Sequence, residues 1–393
     1  MKLDLIVIGG GGHVGLPLAM VFADAGLKVG IFDINRDTLK KIQKGIMPFK
    51  EEGADILLKR VINKNLFTFN DPSAIKDADA VVVVIGTPVD EHLNPLFTLM
   101  KKFFMDIMGY FRNGQTLILR STVYPGTTEK VAELFAASGK KINIAFCPER
   151  VAEGYALKEI ADLPQIISGT SGKAVQSASK LFRKINKKLI FVEPMEAELA
   201  KLFTNTYRYI NFAIANQFYT IARDHGLDFY RIHDAVTRDY PRARSFPKPG
   251  FTAGPCLFKD TMQVASFSEN GFFLGHSAML VNEGLPNFVV KKLGEGRDTK
   301  KMTVGILGMA FKGDSDDKRE SLAYKLKKIC EVECKKVLCS DVYIKEEGFI
   351  SASELIRKSD VVIIGAPHSE YRNLKIPANK LVDVWGFVKR AGK

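Results

Sequence analysis

The residues best suited to chemistry are concentrated in Gly250-Phe251-Thr252-Ala253-Gly254-Pro255-Cys256-Leu257-Phe258-Lys259-Asp260. A cysteine attacks carbon only as its thiolate, and a free thiol of pKa about 8.5 needs cationic neighbours to reach that form near neutrality. Lys259 supplies a cation, and Asp260 a carboxylate that could act as a general base. The glycines would let backbone approach a ligand closely. The same cysteine would also serve as a small buried apolar side chain. This stretch alone leaves both readings open.

Further candidates lie upstream. Lys201 and Asn205 are four residues apart in a helical pattern and so share a face; they could hold an alkoxide-like oxygen or simply be solvated. Glu149 and Glu153 follow a strand-like run, and on a helical turn they would share a face. Paired carboxylates can do acid–base work, although a solvated loop would contain them equally well. Thr122 follows another such run, where it would line a cleft or cap a helix.

These residues need elements to position them. Leu5-Ile6-Val7-Ile8 reads as a strand passing into Gly9-Gly10-Gly11-Gly12-His13-Val14-Gly15, with GxGxxG on Gly10, Gly12 and Gly15. A helical pattern follows, then a second strand that ends at Asp33. This strand–turn–helix–strand context is the dinucleotide fingerprint. Gly10 would permit the tight turn, Gly12 the approach of a diphosphate and Gly15 close helix packing, while Asp33 is placed for ribose hydroxyls and favours NAD. Ala80–Ile85, Gln115–Arg120 and Ile142–Phe146 read as further buried strands. Their polar carboxyl ends, Gly86-Thr87-Pro88, Ser121-Thr122 and Cys147-Pro148-Glu149, would border a cofactor cleft. From about Glu193 to Arg223 the periodicity predicts one long helix, a domain connector or oligomer seam.

A second alternating α/β pattern starts at Met302-Thr303-Val304-Gly305-Ile306-Leu307-Gly308. It lacks GxGxxG, so a second dinucleotide is not expected, but Lys312 and His368 at its strand ends could meet a nucleotide. The expected fold class is α/β, two Rossmann-like doubly wound domains joined by a long central helix. The expected boundaries are 1–192, 193–295 and 296–393.

Composition narrows the classes of function. The net charge of +13 would suit nucleic acid or an anionic small molecule. Lysines and arginines are spread through the chain without a dense basic run, which argues against nucleic acid. The five cysteines are odd in number and form neither a disulfide frame nor a zinc-ligand pattern, so no metal is expected. No apolar run reaches the roughly 20 residues of a membrane span. The first apolar run passes directly into glycines, as a first strand does and a signal peptide does not, so a cytoplasmic protein is expected.

With these segments in order, the chain resembles the UDP-glucose/GDP-mannose dehydrogenase family of nucleotide-sugar 6-dehydrogenases. The resemblance runs nearly end to end. It rests on Val14-Gly15-Leu16-Pro17, Gly86-Thr87-Pro88, Ser121–Thr128, Pro148-Glu149-Arg150 with Glu153-Gly154, and Glu196-Ala197-Glu198 with Lys201 and Asn205-Thr206. It continues in Gly254-Pro255-Cys256 with Lys259-Asp260, and in Ala310-Phe311-Lys312 with Asp317 and Arg319. It implies an NAD-binding domain, a central helical domain that forms a homodimer, and a C-terminal domain that binds the nucleotide of the substrate.

The implied reaction is four-electron oxidation of a UDP-hexose or UDP-N-acetylhexosamine at C6 to the uronic acid, with NAD as acceptor, supplying a surface polysaccharide. By matching position, Cys256 would trap the aldehyde as a thiohemiacetal that becomes a thioester; such capture splits one difficult step into two. Lys201 and Asn205 would hold alkoxide-like oxygens, Asp260 and Thr122 would place water, and Glu149 would serve acid–base steps. The cofactor would meet Gly10, Gly12, His13, Val14, Gly15, Asp33, Thr87, Ser121, Thr122, Glu153 and Arg319. The substrate would meet Glu149, Lys201, Asn205, Phe251, Gly254, Lys259, Lys312 and one of Arg242 or Arg244.

The chain departs from the family pattern at His13, where an aromatic is usual, and at Thr252-Ala253, which replaces a more glycine-rich run. Glu149-Arg150-Val151 and Asn205-Thr206-Tyr207-Arg208 look like the N-acetylmannosamine branch, whereas Lys259-Asp260-Thr261 looks like the UDP-glucose branch. Two other readings are a two-electron dehydrogenase of the β-hydroxyacid type, which needs no cysteine or third domain, and a non-catalytic sensor of NAD and nucleotide sugar.

Overall fold

Short apolar runs make the strands, because a strand buried on both faces has no polar side to alternate with. The computed structural model describes residues 1–86, 97–252, 254 and 256–388. The chain divides into two compact units, Met1–Phe203 and Thr204–Lys393.

The first unit is built on β1 (Leu3–Ile8), β2 (Val29–Phe32), β3 (Leu66–Phe69), β4 (Ala78–Val83), β5 (Thr116–Leu119), β6 (Asn143–Phe146), β7 (Gln165–Gly169) and β8 (Leu189–Phe191), in the order β3-β2-β1-β4-β5-β6-β7-β8. All neighbours are parallel except β6 and β7. Strand order reverses between β1 and β4, where open α/β sheets bind ligands. Leu5 and Val7 join one apolar core with the helix Gly15–Asp24, and Ile6 and Ile8 join another with Phe104 and Phe135. That alternation is the period of a strand with both faces covered.

The second unit carries β9 (Thr303–Leu307), β10 (Lys336–Ser340), β11 (Val361–Ile364) and β12 (Leu381–Val382), all parallel in the order β10-β9-β11-β12. The long helix spans Pro194–Asp224, within one residue of expectation at each end, and runs through the division between the units. Helices Leu257–Phe267 and Phe273–Gly294 follow it. Among the described residues no helix is long and apolar enough to cross a membrane, and no group of side chains is arranged to hold a metal ion.

Candidate active site

The glycine loop is shaped by its neighbours. The left-handed residue is Gly9, at φ +76°, one position before the glycine assigned to the turn. A Cβ on Gly10 would lie 2.5 Å from Ile31 Cγ2, and one on Gly15 would lie 2.5 Å from Gly9 O, so both must be glycine for packing. Gly12 differs. It is exposed, and the nearest atom to a Cβ there is Gly9 O at 3.7 Å, which leaves its backbone open to a ligand. Asp33, just after β2, accepts from Gly11 N and Asn35 N, both at 2.9 Å. A carboxylate braced on the loop and an open helix N-terminus beside it suit a dinucleotide. His13 is half-buried with its ring 4.0 Å from that of Phe49, and Val14 is the N-cap of the first helix. Thr87 lies outside the described residues.

At the ends of β5 and β6 a fully buried Arg120 sends Nε to Glu149 Oε2 at 2.9 Å, Nη1 to Cys147 O and Nη2 to Gln165 Oε1, both at 3.0 Å. Its Nη2 also reaches Glu149 Oε2. Glu149 Oε1 accepts from Arg150 N at 2.7 Å and Val151 N at 3.1 Å. Glu149 is therefore buried among donors, and no helical turn joins it to Glu153, which sits half-buried in a turn beside Gly154 (φ +89°). The solvated-loop reading fails for Glu149. Buried Glu51, which the sequence did not single out, steadies that turn by accepting from Gly154 N at 2.9 Å. Ser121 Oγ donates to Ile85 O at 2.6 Å, and Thr122 follows it, half-buried.

The cysteine loop lies in the second unit. Cys256 is exposed, whereas Cys147, Cys330, Cys334 and Cys339 are buried. The small-buried-residue reading is thus overturned for Cys256. It holds the N-cap position of the helix Leu257–Phe267 without a side-chain capping bond, and a helix N-terminus favours a thiolate. Burial raises the buried thiols, Cys147 to about 12 and Cys339 to about 11.

Asp260, one turn beyond Cys256, is fully buried, and its N–H donates to Cys256 O at 2.9 Å. Its Oδ2 accepts from Asn205 Nδ2 at 2.6 Å, and its Oδ1 stands 4.0 Å from Lys259 Nζ. Lys201, half-buried, lies one turn before Asn205 on the long helix. Before the cysteine, Phe251 is buried and meets Trp385 edge-on at 6.4 Å. Gly254 takes φ +102°, with the Phe311 ring where its Cβ would be.

In the second sheet, Lys312 Nζ lies 5.8 Å from the Phe311 ring centroid. The fully buried His368 holds the Lys312 loop. Its Nδ1 accepts from Asp314 N at 2.9 Å, so Nε2 carries the proton toward Asp341 Oδ2 at 3.1 Å. That geometry gives His368 a bracing contact within the unit. Arg319 forks onto Asp317, with Nε 3.0 and 2.9 Å from the two oxygens. Arg242 and Arg244 are both exposed, and Arg242 Nε donates to Tyr240 Oη at 2.7 Å.

A largely parallel sheet whose order reverses between β1 and β4, with a glycine loop at one carboxyl end and a braced carboxylate at the next, defines a dinucleotide-binding domain. Comparison with known proteins narrows that class. Residues 4–186 match the NAD binding domain of the UDP-glucose/GDP-mannose dehydrogenase family, residues 195–283 its central domain, and residues 305–390 its UDP binding domain. The chain belongs to this family. It is an NAD-dependent nucleotide-sugar dehydrogenase.

Among its relatives is the UDP-N-acetyl-D-mannosamine dehydrogenase of Methanocaldococcus jannaschii, 32% identical over 378 residues, covering 94% of this chain and 86% of that one. A structure of the Pyrococcus horikoshii UDP-D-ManNAc dehydrogenase superposes with a TM-score of 0.92 at 29% identity, over 100% of this chain and 97% of that one. A UDP-glucose dehydrogenase from Pyrobaculum islandicum gives 0.90 at 26%, over 98% and 95%. Both sugar branches that the sequence resembles are therefore among its neighbours.

Proposed function

We propose that this enzyme oxidises the C6 alcohol of a UDP-N-acetylhexosamine, or of a UDP-hexose, to the carboxylate in two successive two-electron steps without releasing the aldehyde. The observation that carries the reading is Cys256, exposed at the head of a helix whose next turn presents buried Asp260 held by Asn205. A two-electron dehydrogenase has no use for that thiol. The N-acetylmannosamine substrate is favoured because the Methanocaldococcus jannaschii relative and the Pyrococcus horikoshii structure carry that name.

NAD, when bound, supplies the hydride acceptor for both oxidations. Gly12, His13, Val14 and Gly15 would hold its diphosphate and Asp33 its ribose, with Thr87, Ser121, Thr122, Glu153 and Arg319 as further contacts. Lys201 and Asn205 stabilise negative charge on the C6 oxygen as its proton leaves. Cys256 Sγ adds to the aldehyde carbon, the carbonyl oxygen takes up a proton, and the C6–S bond is retained through oxidation to the thioester. Water placed by Asp260 and Thr122 then adds to the thioester carbon; the C–S bond breaks, giving the acid and the free thiol. Glu149 serves the acid–base steps. Phe251, Gly254, Lys259, Lys312 and Arg242 or Arg244 bind the substrate, the last residues on its diphosphate side.

Three domains, 1–192, 193–295 and 296–393, fit this division of labour, and the enzyme acts in the cytoplasm. We also propose a homodimer through the long helix. Tyr207, Ile214, Phe218 and Ile221 fall within about 60° of one another on a 100°-per-residue helix and are all exposed, Tyr207 at 65%. An apolar stripe of that kind marks an association surface. Sedimentation at micromolar concentration should give twice the chain mass, and a monomer mass would remove this part.

The decisive measurement is NADH formed per sugar across a panel of UDP- and GDP-sugars. Two per substrate, with the 6-carboxylate as product, is expected. One per substrate would remove the thioester step, and none with any sugar would favour a sensor.

A further inference from the structure

We propose that Asn216 is a positioning residue for Cys256, acting through Gly250 at the base of the cysteine loop; this deepens the covalent reading above and rests on it. Asn216 is fully buried on the long helix. Its Oδ1 accepts from Gly250 N at 2.9 Å, and its Nδ2 donates to Gly250 O at 3.2 Å and to Asn282 Oδ1 at 2.8 Å. One side-chain amide thus pairs both polar groups of a single loop residue. The orientation of that amide is set from behind. Fully buried Asn282 spends its Nδ2 on Tyr209 O at 3.1 Å, so its Oδ1 must face Asn216, and Asn216 must present Nδ2 there.

Sterics close the other side. A Cβ on residue 250 would lie 2.2 Å from the Trp385 ring, so the loop base is pinned between an amide and an indole. Burying an amide is costly unless it is hydrogen-bonded. All of these bonds from Asn216 are spent on the loop and on the residue that orients it, and none on its own helix.

The geometry explains what the clamp achieves. Asn205 and Asn216 are eleven residues apart, three helical turns, and return to one face about 16 Å along the axis. Asn205 holds Asp260, four residues after Cys256, and Asn216 holds Gly250, six residues before it. One face of a rigid helix therefore registers both flanks of the cysteine. Midway, Gly254 N donates to Glu320 O at 3.2 Å, and the Phe311 ring occupies the space of its missing side chain. A nucleophile displaced by about 1 Å can lose a hundredfold in rate, which is why a clamp six residues away can matter.

The test compares wild-type enzyme with Asn216→Ala and Gly250→Ala. The second variant leaves Asn216 intact and drives the loop base against Trp385, so it reads the same link if the first does not fold. Each is followed by steady-state kinetics, by deuterium uptake of peptides covering 249–256, and by the rate at which iodoacetamide alkylates Cys256 without substrate. Expected are a kcat lower by about tenfold to a hundredfold, KM within about threefold, faster uptake confined to 249–256, and an altered alkylation rate. NAD affinity should stay at the wild-type value.

Wild-type kcat, or unchanged uptake in 249–256, overturns the proposal. Uptake that rises throughout residues 204–388 also overturns it, since Asn216 would then be holding the fold. If wild-type enzyme forms no acid from any nucleotide sugar, the functional reading fails, while uptake and alkylation still decide whether Asn216 positions Cys256.

Discussion

The side-chain amide of Asn205 donates to the carboxylate of Asp260 at 2.6 Å, joining the long helix to the helix headed by Cys256. Asp260 is fully buried and its other oxygen has Lys259 at 4.0 Å. A carboxylate out of water needs such partners. The pair therefore belongs to the geometry of the cysteine as much as to its chemistry.

Replacing Asn205 with alanine removes that donor and should lower kcat by about a hundredfold, the scale of one lost charge-stabilising group. Asn205→Asp should be worse, because a second carboxylate would face Asp260 at hydrogen-bond distance. The check is steady-state NADH formation alongside NAD titration. An Asn205→Asp variant as active as Asn205→Ala would show that Asp260 does not sense charge at that position.

Iodoacetamide at pH 8 should label Cys256 first and leave the buried cysteines intact in folded protein. Burial holds Cys147 near 12 and Cys339 near 11, so at pH 8 their thiolate fractions are about one in ten thousand and one in a thousand. The sign follows directly: raising the pH toward 9 still leaves both mostly protonated. Peptide mass spectrometry after brief labelling reads the order, and Cys147 reacting as fast as Cys256 would contradict it.

Arg120→Met should destabilise the first unit by about 3–5 kcal/mol, because it leaves Glu149 buried without its cation. Both side chains are nearly inaccessible, at 0% and 10% exposure, so solvent screening discounts little. Adding Glu149→Gln should recover part of the loss, since the orphaned charge is then gone. Urea unfolding measures both. A loss under about 1 kcal/mol for Arg120→Met would mean that Glu149 finds water or another donor.

The glycine loop, the long helix and most strands were legible in the sequence for reasons of period and local chemistry, and the family through its ordered motifs; β3, β7 and β8 do not stand out there. Apolar runs buried on both faces, a 3.6-residue repeat and glycines at fixed offsets are properties of neighbours along the chain. They place Lys201 and Asn205 on the long helix, whereas the helix Leu257–Phe267 that carries Asp260 behind Cys256 reads in the sequence only as a loop. Which of several cysteines faces solvent is a question of packing, and Cys256 could equally have been core until the fold exposed it.

Arg120, Asn216, Asn282 and Glu51 gave almost no signal. Each is an ordinary polar residue whose importance comes from a partner 29 to 103 positions away. Glu149 shows the limit most clearly. Its spacing from Glu153 suggested a pair on one face, yet its oxygens are turned inward to Arg120 and two backbone N–H groups. Sequence determined the elements because hydrophobic period and backbone preference act locally. Tertiary structure alone decided which polar atoms meet, because a buried donor must find an acceptor wherever the folded chain brings one.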